Sequence, residues 1–294
     1  MVRHGDNSRK MKMPRVDPAS ARAESMTWKL HSEMVLLAGW GRAILLQLAH
    51  PLVAQGVAEH SGFLTERWGR LQRLDRTLRT MLTLTFGTPD EAERAAQTIN
   101  GIHDRVHGDL RERQGIFPEQ TRYTAHDPAL LAWVHATLLD SFLLTYERFV
   151  APLTPEERDR YCAESGAIET LLGIPGRSLP RSVGELRVYM HAKLTDGEIA
   201  VTDTARRLAR EIVEPPLPLL ARPLFALARL PTIGLLPPGI RRSYGLPWDD
   251  KREQVLVALA AVSRRLLPLL PSALRHWPAA RAARARERRA RRVH

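Results

Sequence analysis

The chain of 294 residues contains one cysteine, Cys162, and this scarcity removes two classes of site. A single thiol cannot form a disulfide within the chain, and it cannot build a zinc site from paired cysteines. Beyond Arg158 and Arg160, no sequence neighbour would activate the thiol. We therefore interpret Cys162 as a structural residue.

The sequence also lacks a long apolar run. The longest uncharged stretch, Ala43 to Ala58, has 16 residues and includes three polar side chains, whereas a membrane-spanning helix needs roughly 20 mostly apolar residues. The basic N-terminus is not followed by the apolar core and small-residue cleavage site of a secretion signal. We therefore expect a cytoplasmic protein that at most contacts a membrane peripherally.

A third absence concerns strands and motifs. No stretch alternates apolar and polar residues over the length of a strand, and we find no repeat, glycine-rich phosphate loop or nucleophile elbow. Apolar residues recur at helical spacing instead. The sequence predicts an all-α fold, with one large helical domain over residues 29–272.

Helix boundaries are signalled locally. Thr88 and Thr154 each precede a proline and stand three residues before a glutamate, which is the pattern of a capping box. We expect the helix that begins at Thr88 to run to about His107 and to end at Gly108, with a loop over residues 109–126. Pro51 should end or kink the preceding helix, since proline lacks the amide hydrogen that continues it.

The charge excess lies mainly at the two ends. The whole chain has a net charge of +12, of which residues 1–15 carry +4 and residues 281–294 carry +6. Such dense like charge favours disorder, so we predict a basic, disordered lead-in over residues 1–28 and an Arg-rich tail over residues 273–294. Helix is possible in the tail, because Ala and Arg are good helix formers.

The basic tail suggests weak contact with anionic lipid. Nucleic acid is not expected as a partner, because no aromatic residues alternate with the arginines for base stacking. Residues 215–240 contain seven prolines among leucines and cannot form one regular helix. They could wrap the domain as an apolar strap or touch a membrane surface, and packing favours the strap.

Two segments carry the chemistry that we consider most informative. Arg73, Arg76 and Thr77 share one face of a predicted helix, and His103 and His107 stand four residues apart on the next. If the two helices pack, cations, a hydroxyl and imidazoles lie between them. Such a cluster suits an anionic cofactor that also needs an axial metal ligand, and haem is the obvious candidate.

Other interpretations of these histidines stay open. The segment from His103 to His107 has the histidine spacing of a zincin helix, although Asp104 replaces the glutamate that would act as base. Both rings could equally be hydrogen-bonded or exposed histidines between helices. His50 and His135 each lie in apolar stretches and, taken alone, are typical of satisfied core histidines, although His50 is also a candidate for contact with a cofactor.

Seven segments together resemble a large bacterial family, the MpaB family, which groups the fungal oxygenase of mycophenolic acid biosynthesis with rubber oxygenase (latex clearing protein). The resemblance covers roughly residues 32–250 in order. Its segments are residues 41–54, 86–88, 102–108, 127–137, 146–149, 235–238 and 244–246.

The resemblance implies an all-helical domain like the catalytic domain of rubber oxygenase, with haem b and a histidine as the proximal iron ligand. His103 matches that histidine. Arg73 and Thr77 match the arginine and threonine of the family's Arg-x-x-Lys-Thr segment, and Arg76 replaces its lysine. Arginine has no lone pair to offer iron, so Arg76 should donate hydrogen bonds to dioxygen or a propionate instead.

The function implied is oxidation of a small apolar organic molecule by dioxygen at haem, with Arg73, Arg76 and Thr77 as catalytic residues. The motifs do not specify an electron donor. The rival hypothesis is a non-catalytic helical protein without haem that associates with a membrane surface through the Pro-rich region and the basic tail.

Overall fold

The computed structural model describes residues 25–60, 69–214 and 229–293, and of residues 69–74 and 293 only the backbone. This part of the chain is built from helices and one two-stranded sheet, which confirms the all-α prediction. The α-helices are α1 (Met26–His31), α2 (Leu37–Leu48), α3 (Pro51–His60), α4 (Gly69–Phe86), α5 (Pro89–His103), α6 (Pro128–Phe149), α7 (Pro155–Glu164), α8 (Gly166–Leu172), α9 (Val183–Thr195), α10 (Asp203–Val213), α11 (Pro238–Ser243), α12 (Asp250–Leu266), α13 (Ser272–Arg275) and α14 (Pro278–Val293). Strands β1 (His107–Asp109) and β2 (Arg122–Thr124) pair antiparallel.

Helices α2 and α6 form the centre of the core. They approach closely at Gly39, where an added Cβ would lie 3.0 Å from the Ser141 main-chain oxygen and 2.7 Å from Thr145 Oγ1. Helix α6 is long and apolar enough to cross a membrane by length and composition, but 67% of its most apolar window is buried within the protein. We therefore describe it as the core helix.

One buried cation ties the central helices to a distant segment. Arg42 of α2 is 4% exposed, and its guanidinium lies 2.7 Å from the Asp140 carboxylate of α6. The same group donates hydrogen bonds to Ser141 Oγ and to the Leu235 carbonyl, each at 2.7 Å. Three acceptors offset the cost of burying the charge.

The chain turns sharply after α2. The segment Met34–Leu48 and helix α3 meet at an angle of 104°, and the turn falls at His50 and Pro51, as predicted. Helix α3 then packs against α10, and the Ala200 amide donates to the Ala49 carbonyl at 3.0 Å. The bend thus places His50 inside the fold.

Both ends of the chain require corrections. Helix α1 begins at Met26, within the predicted lead-in, because Ser25 and the Glu164 carboxylate accept its first amide hydrogens. The C-terminal segment is not a disordered tail: α14 packs against α4, and Ala280 and Ala283 are buried against Trp28 and Phe86. Small alanines on one face of α14 allow this packing, and Arg284 and Arg286 of the same helix donate to Ser32 Oγ and to the Phe86 carbonyl.

Parts of two predictions lie outside the described residues. These are residues 1–24, the bulk of the predicted lead-in, and residues 215–228, about half of the predicted Pro-rich strap. Residues 229–234, the first described residues after that stretch, are helical.

Candidate functional site

The hairpin of α4 and α5 carries most of the predicted site residues. Thr88 Oγ1 accepts from the Glu91 amide at 3.3 Å, and Glu91 Oε2 accepts from the Thr88 amide at 2.7 Å, which is the predicted capping box. Gly87 suits the tight connection, since a Cβ there would lie 2.5 Å from the Thr83 carbonyl. The two helices pack together, as the sequence analysis required.

The arginine and threonine face of α4 lies at the surface. Arg76 and Thr77 are exposed, and Arg73 has no described side chain. Arg76 borders an open groove of about 340 Å³ between α4 and α5. The groove lining comprises Arg76, Arg79, Thr80, Thr83, Glu91, Arg94, Ala95 and Thr98, so His103 lies outside it. No contact of Arg76 or Thr77 with His103 is found among the described residues.

His103 is the last residue of α5, and its ring is half-buried. Its Nδ1 atom is buried and has no hydrogen-bond partner in the described part of the chain. Burial, with a smaller contribution from His126, lowers the pKa of His103 below its usual value. The ring is therefore neutral at pH 7 and keeps a lone pair, which a metal ligand must have.

A neighbouring ion pair fixes the surroundings of His103. The His126 ring packs edge-on against the His103 ring with centroids 5.8 Å apart, and His126 Nε2 lies 2.7 Å from Asp104 Oδ1. Asp104 thus holds His126 rather than His103. The carboxylate or carbonyl acceptor that usually orients a ligating histidine is not found for His103 Nδ1 among the described residues.

The prediction that His103 and His107 share a helical face is wrong. Helix α5 ends at His103, and His107 begins β1, where it is exposed. The cause is pairing with a distant segment: Gly108 pairs with Tyr123 in the sheet, and the Ala125 amide donates to the Val106 carbonyl at 2.9 Å. The zincin alternative fails with it, since its two histidines must lie on one helix.

His50 is buried, His135 is half-buried, and both imidazoles are neutral. Burial lowers the pKa of each to about 4. His50 stacks against Phe117 at 5.3 Å, and its Nε2 atom lies 3.8 Å from the Glu198 carboxylate. His50 Nδ1 and His135 Nε2 have no hydrogen-bond partner among the described residues. No described contact joins His50 to His103, so His50 belongs to a separate part of the core.

Sequence analysis missed His31, which stands beside the polar lead-in and carries no motif. Its ring lies edge-on to Phe142 at 4.9 Å, and its Nε2 is 2.8 Å from Tyr161 Oη. Burial, followed by the charge of His135, lowers the pKa of His31 to about 3. The two rings, from α1 and α6, are therefore close enough to interact electrostatically.

Tyr123 was also missed, because nothing in a short polar loop marks it as buried. Its hydroxyl donates to the Glu59 carboxylate, and its ring packs against Gly108. Burial and Glu59 raise the pKa of Tyr123 well above its usual value, and the same hydrogen bond lowers the pKa of Glu59. This contact anchors the strand pair, and hence the end of α5, to α3.

These side chains differ in the metals that they can hold. Within the described ranges no three His, Cys, Asp or Glu side chains are placed to bind one ion together. Haem iron needs fewer ligands from the protein, because the porphyrin supplies four and one imidazole is enough to hold the iron. His103 fits that requirement through its neutral, half-buried ring, whose Nδ1 atom has no hydrogen-bond partner among the described residues.

Comparison with known proteins gives one match. The family model described as ER-bound oxygenase mpaB/B'/Rubber oxygenase, catalytic domain, matches residues 28–265. No curated protein and no solved structure gives a significant match. The matched residues include all of α2 to α11 and thus every candidate residue discussed above. The chain therefore belongs to the family of mpaB and rubber oxygenase catalytic domains, a family of oxygenases.

Proposed function

We propose that this protein is a haem b-dependent oxygenase that oxidises a small apolar organic molecule with dioxygen. The observation that carries the proposal is the neutral His103 ring, whose buried Nδ1 atom has no hydrogen-bond partner among the described residues. An imidazole in this state is prepared to donate a lone pair to iron. Membership of an oxygenase family supports the reaction class.

His103 and its neighbours would hold the cofactor. Desolvation keeps the imidazole unprotonated, so no proton has to leave the ring before it binds iron. His126, fixed by Asp104, packs on the ring and limits its rotation. Bound haem would supply the redox-active iron at which dioxygen is activated.

The face of α4 that includes residues 73, 76 and 77 would supply hydrogen bonds. The Arg76 guanidinium is always protonated, so it donates to a carboxylate and cannot ligate iron. Arg76 and Thr77 are exposed beside the α4–α5 groove, where they are accessible to an anionic group such as a propionate. We assign them a role in holding haem.

The test is haem content. We would purify the protein after expression with added haem precursor and measure the Soret absorption and the haem-to-protein ratio. His103→Ala should lose most of its haem and keep its helical circular dichroism. His107→Ala is the matched control, because that ring is exposed on β1, and it should retain haem.

Two outcomes would decide against the proposal. Full haem content in His103→Ala would reject this ligand and make His50 or His135 the next candidate, since His50 Nδ1 and His135 Nε2 are also buried without a partner among the described residues. A colourless wild-type protein, unable to take up haemin in titration, would favour the rival hypothesis of a helical protein without haem.

A further inference from the structure

The largest exposed apolar side chains are concentrated near the end of α12. Val262 is 50% exposed, Leu266 52%, Leu269 77%, Leu270 39% and Leu274 64%. We call these five residues the leucine ridge. Side chains of this size are normally buried, and five exposed ones within one short segment of the chain indicate a candidate binding surface.

The ridge is distinct from the face that α12 turns to the core. Leu256 and Ala260 are buried against Phe149, so they form the side of the helix that packs on the core. Val262 and Leu266 are four residues apart and project together from an exposed side of the helix. The ridge residues therefore add apolar surface beyond what the fold of α12 uses.

The charges beside the ridge have one sign. Between Glu253 and Glu287 the sequence has no acidic residue and six arginines. Arg264 and Arg265 are exposed, immediately precede Leu266 in the sequence, and have no acidic partner among the described residues. By contrast, Arg275 is bound to Glu33 at 2.6 Å and serves the fold.

We propose that the leucine ridge, with Arg264 and Arg265, docks on the surface of an anionic lipid bilayer. Exposed leucine and valine can enter the boundary between headgroups and acyl chains, while arginines beside them meet lipid phosphates and carboxylates. A second protein would need acidic groups at two adjacent points and an apolar groove, whereas an anionic bilayer supplies both properties at any position. This inference does not depend on haem and adds a location to the proposed oxidation of an apolar substrate.

The experiment measures binding of the full chain to lipid vesicles by flotation. One vesicle is pure phosphatidylcholine, and the other contains phosphatidylserine as well. The first variant combines Leu269→Ser with Leu274→Ser, and the second combines Arg264→Gln with Arg265→Gln. The control combines Arg187→Gln with Val188→Ser, an exposed arginine beside a valine that is 72% exposed on α9.

We expect wild type to bind the phosphatidylserine vesicles and to lose binding as salt is raised. Each arginine near an anionic surface strengthens binding by roughly fivefold, so the arginine variant should bind on the order of 25-fold more weakly. The leucine variant should lose at least about tenfold on both vesicles. The control should bind as wild type does.

Three results would overturn the proposal. The first is a wild-type protein that binds neither vesicle. The second is equal weakening in the control and the ridge variants, which would show a general loss of surface charge or solubility. The third is a dimer in light scattering that the leucine substitutions dissociate, since the ridge would then be covered by a second copy of the chain.

Discussion

The close approach of α2 and α6 at Gly39 yields a quantitative prediction. Replacing a helical glycine by alanine stabilises a helix by about 1 kcal/mol through propensity alone. At Gly39 the new methyl group would lie 3.0 Å from the Ser141 carbonyl oxygen, a main-chain atom, and 2.7 Å from Thr145 Oγ1. Overpacking of this kind costs about 1–3 kcal/mol, so Gly39→Ala should be neutral to destabilising by about 2 kcal/mol.

Gly101 provides a matched control in α5. A Cβ added there meets no atom within 4 Å, so Gly101→Ala should gain the propensity term without a packing cost. The propensity terms cancel between the two variants, and the difference in their unfolding free energies should equal the overpacking cost of about 1–3 kcal/mol. Urea denaturation followed by circular dichroism measures both. Equal stability of Gly39→Ala and Gly101→Ala would refute the close packing of α2 on α6.

Three further predictions follow from buried or exposed charges. Arg42→Met should lower the unfolding free energy by about 1–3 kcal/mol, measured by urea denaturation, because Ser141, the Leu235 carbonyl and the partly exposed Asp140 lose their donor. The pKa of His50 is lowered to about 4 in the folded protein, so the unfolded chain binds the proton more tightly and stability should fall as the pH decreases from about 6.5 to 4. His50→Gln should reduce the slope of that part of the stability profile, to which His31 and His135 also contribute. Arg76→Gln should weaken haemin affinity by roughly tenfold in a titration, through loss of one charge-assisted hydrogen bond, and Arg187→Gln should have no effect.

Local signals in the sequence predicted helix starts well. Thr88 and Thr154 each form the expected capping box, and Pro51 begins a new helix. These features depend on residues within one helical turn of each other, so the local sequence is enough to predict them. The packing of α4 on α5 was predictable for a similar reason, because a connection of two residues leaves consecutive helices little choice but to pack as a hairpin.

Features set by distant residues were not predictable. Helix α5 stops at His103 because the following residues pair with β2, and Tyr123 secures that pairing through Glu59. The alanines of α14 pack against Phe86 and Trp28, which lie about 200 and about 250 residues earlier in the chain. The spacing of the residues predicted that Arg76 shares a helical face with Arg73 and Thr77. It could not predict that Arg76 is exposed, because exposure depends on which distant segments pack over α4.

The measurement that tests the central claim most directly is chemical rescue of His103. Removing the ring with His103→Gly should leave a cavity at the end of α5 and abolish the haem spectrum. Free imidazole added to that variant together with haemin should restore the wild-type Soret band, because the small molecule can donate the same lone pair to iron. Restoration in His103→Gly is the result we predict, and a His103→Gly protein that keeps the wild-type spectrum without imidazole would contradict the assignment.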